Sequence, residues 1–138
     1  MQSTILGFDP GRDKCGLAVM GEDLQLYYHQ TVPAQSAIAN IQSLLQKLPI
    51  SVIVMGDRTT AKQWRSQLES TCNSLPIVMV DEHNSTLEAR DRYWQMYPPK
   101  GLAKLVPQGL REPPAPIDDI VAILLIERYL KITVTSDQ

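Results

Sequence analysis

The stretch T4-I-L-G-F-D-P-G-R-D-K-C-G-L-A-V-M20 decides how this chain folds. Two apolar runs, Thr4 to Phe8 and Cys15 to Met20, flank Asp9-Pro10-Gly11 and the charges of Arg12, Asp13 and Lys14. Proline presets φ and glycine accepts positive φ, so the centre reads as a turn and the flanks as two strands. On these residues alone Asp9 is a turn residue first, and a carboxylate presented at a strand end second. A third strand is predicted from Leu24 to Thr31, where Leu24, Leu26 and Tyr28 alternate with Gln25 and Tyr27 after the polar link Gly21-Glu22-Asp23. Links this short make the three strands an antiparallel meander.

Beyond Pro33 the period changes. Ile38, Ile41, Leu44, Leu45 and Leu48 recur at helical spacing until Pro49. "ISVIVMG" then reads as a strand buried on both faces, as expected where helices cover both sides of a sheet. Thr59 or Thr60 can cap a helix carrying Ala61, Trp64 and Leu68 inward, and "PIVMV" supplies a fifth strand. Ser85-Thr86-Leu87-Glu88 has capping-box form and predicts a helix from Ser85 to about Tyr97. Proline-rich sequence from Pro98 to Pro116 predicts a long surface loop, a kind that is often functional. A last helix is expected from Pro116 or Ile117, with Ile120, Val121, Leu124 and Leu125 inward. The order predicts an α/β domain with a mixed five-stranded sheet, three antiparallel strands followed by parallel ones, with helices on both faces.

The 138 residues fit a single domain, expected over 1–132, with a frayed tail over 133–138. A charged fraction of 20% and a hydrophobic fraction of 43% are those of a globular protein rather than a disordered one. The longest apolar run, Ile120 to Ile126, is far short of the roughly 20 residues a membrane span needs. With no basic-then-apolar leader at Met1, the expected compartment is the cytoplasm, with no membrane partner. Cys15 and Cys72 show no metal-site or redox spacing and are expected to be free buried thiols. A net charge of −2 argues against coating nucleic acid by bulk charge. It leaves room for a local basic patch, and Lys100, Lys104 and Arg111 have no acid among them.

Three acidic positions fall at comparable places: Asp9 after the first strand, Asp81-Glu82 after the fifth, and Asp118-Asp119 in the first turn of the last helix. Each also has a local use, as an Asx turn, a solvated loop residue or a partner for the helix N-terminus. Only a shared site explains why all three lie at one end of the sheet, since open α/β sheets collect ligands outside the carboxyl ends of their strands. Carboxylates gathered there suit a hard divalent cation.

"GFDPGRDKCGLAV", "VDEHNSTLEAR" and "IDDIVAILLIERYL", in this order and spacing, resemble the three motifs of the YqgF family. Its members are described as Holliday-junction-resolvase-like or pre-16S rRNA processing nucleases with an RNase H-like fold. The resemblance implies a nuclease dependent on Mg2+ or Mn2+, with Asp9, Glu82 and Asp118 as its catalytic acids and metal ligands and Asp119 as an adjacent spare. It places Lys14, Ser85 and Thr86 on the nucleic acid, where side chains and free N–H groups at a helix start can bind phosphate. RNA, as a ribosomal RNA precursor, is expected ahead of junction DNA. His83 and Asn84 stand where the family shows an arginine and an apolar residue. "GDRTTAKQW" is closer to the YqgF-type domain of Tex proteins, which sets Asp57 beside the site as a fourth acid or as a surface acid before a helix. These differences keep an alternative open: an RNase H-like module that binds nucleic acid or a ribosome-maturation partner without cutting. The sequence fixes no oligomeric state.

Overall fold

A computed structural model describes residues 3–58, 60–72 and 74–136, with side chains to residue 132. Its strands are β1 (Thr4–Asp9), β2 (Lys14–Gly21), β3 (Leu26–Pro33), β4 (Ile50–Gly56) and β5 (Ile77–Val80). Its helices are α1 (Ala37–Lys47), α2 (Ala61–Thr71), α3 (Ser85–Met96) and α4 (Asp118–Ser136). The five strands form one sheet in the order β3-β2-β1-β4-β5. The β1–β2 and β2–β3 pairs are antiparallel, whereas β1–β4 and β4–β5 are parallel. This is the mixed sheet that the Thr4–Met20 stretch predicts.

Alternation along the strands divides the core between the two faces. Ile5, Ala18, Met20, Val52, Val54 and Val80 pack with Ala89 of α3 and the buried length of α4. Leu6, Phe8, Leu17, Val19, Ile53 and Met55 pack on the opposite face with α1 and α2. Residues 120–126 of α4 are all buried, as a helix apolar around its circumference must be. Cys15 and Cys72 are free and buried. Among the described residues no helix is long and apolar enough to cross a membrane.

Four local expectations change. The third strand begins at Leu26 rather than Leu24, because Leu24 has φ 69° and belongs to the turn. Its N–H donates to the Gly21 carbonyl at 3.0 Å. At the other end β3 extends to Pro33, which a sheet edge tolerates because a missing N–H faces outward there. The capping box at α3 does not form: the cap position is Asn84, at φ 58°, and Ser85 is the first helical residue. Glu88 pairs instead with Arg128 at 3.2 Å. Thr60 occupies the cap position of α2 with no side-chain cap bond among the described residues, and Thr59 lies outside them. The loop from Pro98 to Pro116 contains two short 3-10 turns, Gly101–Leu105 and Gln108–Leu110.

Candidate active site

Asp9 is the last residue of β1, and its register partner on β2 is Gly16. A side chain at Gly16 would overlap the backbone carbonyl of Asp118, so the glycine is what lets the first turn of α4 rest directly on this end of the sheet. Glu82, two residues beyond β5, reaches back over the end of β4. A Cβ at Gly56 would meet the Glu82 carboxyl group, so a second glycine opens the space that group occupies. Two close approaches of backbone thus bring together acids from three distant parts of the chain. Asp9 is 5% exposed and Glu82 is 4% exposed.

The loop carrying Glu82 is held from several sides. The Asp57 carboxylate accepts a hydrogen bond from the Glu82 N–H at 3.3 Å. Arg128 of α4 donates to the Asp81 carbonyl at 2.7 Å and to the His83 carbonyl at 2.8 Å, bracketing Glu82 with one guanidinium. The Arg58 Nε lies 3.3 Å from Glu82 Oε2. A second guanidinium nitrogen of Arg58 donates to Thr86 Oγ1 at 3.4 Å.

Burial of two facing carboxyl groups has a large electrostatic cost. Asp9 is pushed up to about 9, first by desolvation, then by a hydrogen bond and the charge of Glu82, then by the charge of Asp118, with Arg58 opposing. Asp118 is also raised by desolvation; Asp119 adds to the shift, while its backbone hydrogen bond and then Lys14 and Arg58 oppose it. Apart from each other and the Arg58 guanidinium beside Glu82 Oε2, Asp9 Oδ1 and the two Glu82 carboxyl oxygens have no hydrogen-bond partner among the described residues. Buried acceptors without donors are costly unless something positive meets them.

An all-oxygen donor set of this kind suits Mg2+ or Mn2+, and Asp9 and Glu82 are the residues that fit such an ion best. Asp118 is coupled to Asp9 through its charge but stands outside that contact. Among the described residues no group of three or more His, Cys, Asp or Glu side chains is placed to hold a metal ion together. Asp119, adjacent to Asp118, accepts from Thr31 at 3.4 Å and bonds His29 Nδ1 at 2.7 Å, which turns it toward β3. Lys14 is exposed at the start of β2, near enough for its charge to act on Asp118. Thr86 is exposed, whereas Ser85 is fully buried with its Oγ unpartnered among the described residues. The expected hydroxyl pair is therefore split, and only Thr86 faces solvent. Asp57 holds the Glu82 backbone, and the exposed His83 contributes its carbonyl to Arg128.

Sequence reasoning missed Arg58 and Arg128. Arg58 follows the carboxyl end of β4, the strand beside β1, a place where parallel sheets gather functional groups. Arg128 left only the trace of a cation following Glu127, past the apolar run Ile120 to Ile126. Replacing Arg58 with alanine removes the charge that lowers both Asp9 and Asp118. Both acids should then hold their protons to higher pH, and in Arg58→Ala the acid limb of the pH–activity profile should move upward. An unmoved limb would contradict this electrostatic role.

A family model described as "RuvX: Holliday junction resolvase" matches residues 3–132. No curated protein sequence matches the chain. Among solved structures, the RuvC of Thermus thermophilus in complex with a Holliday junction substrate is similar with a TM-score of 0.56 and 15% identity, covering 95% of this chain and 96% of that one. A second Thermus thermophilus RuvC structure gives a TM-score of 0.53 at 13% identity, covering 94% of this chain and 96% of that one. At these identities the likeness is one of fold, the RNase H-like arrangement of RuvC.

Proposed function

Since the chain belongs to the RuvX family of Holliday junction resolvases, we propose that it is a divalent-metal-dependent nuclease that cuts structured nucleic acid at the Asp9–Glu82 site. The observation that carries this reading is a buried acid pair at the carboxyl end of the sheet whose oxygens meet only each other and the Arg58 guanidinium among the described residues. Asp9 and Glu82 would hold Mg2+ or Mn2+, with Asp118 completing the set from the first turn of α4. The ion would supply positive charge where negative charge develops on the phosphoryl and leaving oxygens, and would acidify the attacking water. Asp57 and Arg128 keep the Glu82 backbone in place. Arg58 sets the charge balance of the acids and, with Thr86 and Lys14 at the rim, meets the phosphates of the strand.

The family description favours a four-way DNA junction as substrate. The resemblance to YqgF members favours a ribosomal RNA precursor, in the cytoplasm. Cleavage of a synthetic four-way junction, a pre-16S rRNA fragment and a linear duplex, each with magnesium, with manganese and with chelator, tests both. Cleavage of a branched or precursor substrate that is lost with chelator is the expected result. Cleavage that persists in chelator would remove the metal from the proposal.

That no three such side chains among the described residues are placed to hold a metal ion together favours one second reading, a non-catalytic module that binds nucleic acid through the same face. That reading predicts junction or RNA binding with no cleavage under any metal.

A further inference from the structure

We propose that the segment between α3 and α4, residues 98–116, is a nucleic-acid wedge: its leucines meet unstacked bases at a branch point and its lysines meet the flanking phosphates. Leu102 is 82% exposed, Leu105 is 80% exposed and Leu110 is 74% exposed. In the 3-10 turn Gly101–Leu105, residues three apart eclipse one another, so Leu102 and Leu105 share one face. Single exposed leucines need no explanation, but a cluster of large apolar side chains on one short segment marks an interaction site.

The turn that displays them is anchored. Arg111 donates from Nε to the Ala103 carbonyl at 3.0 Å and from Nη2 to the Lys104 carbonyl at 3.3 Å, and its guanidinium lies 5.8 Å from the centre of the Trp94 ring. Gln108 donates to Asp91 of α3 at 3.1 Å. Arg111 is thereby an internal staple and not one of the free cations the sequence suggests. Lys100 and Lys104 remain exposed and have no acid partner among the described residues.

Charge complementarity selects the occupant. From Lys100 to Arg111 the chain has no acid, so Lys100 and Lys104 are the charges beside Leu102 and Leu105, and the one acid of the segment, Glu112, lies 3.8 Å from Arg90. Apolar wedges beside cations are how proteins hold kinked or unstacked nucleic acid. The segment leads into the turn of α4 that carries Asp118. This inference rests on the nuclease reading for its ligand class.

The test is fluorescence anisotropy with the full chain in chelator, which blocks cleavage, using a labelled four-way junction and a linear duplex of equal length. The wild type should prefer the junction. The double variant Leu102→Ser/Leu105→Ser should lose about tenfold in junction affinity with duplex affinity and melting temperature unchanged, since both side chains are exposed. The double variant Lys100→Gln/Lys104→Gln should weaken both, and its slope of log affinity against log salt should be shallower by about 2. Unchanged junction binding in the leucine variant overturns the wedge alone, leaving the nuclease reading intact. A wild type that binds neither substrate overturns both. Loss of self-association or of a protein partner in the leucine variant, with nucleic-acid binding unchanged, would likewise overturn the wedge and make the face a protein interface.

Discussion

Asp9→Asn is expected to abolish cleavage and, at neutral pH, to raise the melting temperature. Loss of activity follows from removing a carboxylate at the centre of the acid cluster, and should amount to about three orders of magnitude or more. Gain of stability follows from the same burial that makes the site. Asp9 is raised from 3.8 to about 9, so an unfolded chain releases this proton at a pH where the folded chain keeps it. A group whose folded value is raised destabilises the fold as pH climbs through that window. Below about pH 4 both states are protonated and the cost vanishes. Asparagine cannot ionise, and its amide can donate toward the Glu82 carboxylate. The expected gain near pH 8 is at least about 2 kcal/mol, or roughly 6 °C for a domain of this size. Scanning calorimetry of both proteins at pH 3 and pH 8 measures it. The difference should be present at pH 8 and absent at pH 3; equal stabilities at both would show that Asp9 is not held against its own charge.

Gly16→Ala is expected to have the largest effect on the fold. A methyl group at this position overlaps the Asp118 carbonyl, a backbone atom that cannot rotate aside. Relief requires α4 to lift from β2, and α4 is the buried centre of one face of the core. Overpacking in cores costs about 1–3 kcal/mol where side chains can yield, and here backbone must yield, so the loss should reach about 3 kcal/mol or more. Chemical denaturation would read this as a lower midpoint. Gly109→Ala is the control: it has no described atom within 4 Å of an added Cβ and should leave the midpoint unchanged. Because α4 carries Asp118, Gly16→Ala should also lower activity in the fraction that stays folded, whereas Gly109→Ala should not.

Much of this architecture was legible in the sequence because periodicity is set by burial. Strands β1, β2 and β4 are buried along most of their length, and their apolar runs stand out without any knowledge of partners. Helix α4 was visible for the same reason. Where burial was weak, the reading slipped. Leu24 alternates correctly with its neighbours yet belongs to a turn, because hydrophobic pattern does not report φ. Ser85 fits a capping box, but the left-handed Asn84 takes the cap position and rotates the serine inward.

The acids were legible as a set because each follows a strand or opens a helix at the same end of the sheet. Their individual roles were not. Asp118 and Asp119 are adjacent in sequence, and neighbouring residues on a helix point about 100° apart, so the charge of one acts on Asp9 while the other bonds His29. Arg58 reaches Glu82 across 24 residues of sequence, and Arg128 reaches the Asp81 and His83 carbonyls across 47 and 45. No local pattern encodes such pairings.

The proposed nuclease site joins Asp9, Glu82 and Asp118 around one cation. Crystals soaked in manganese, with anomalous diffraction recorded at the manganese edge, test it most directly. A peak between the Asp9 and Glu82 carboxyl groups, with Asp118 turned toward it, is the predicted result. Manganese bound only elsewhere on the protein, or no peak at millimolar manganese, would contradict it.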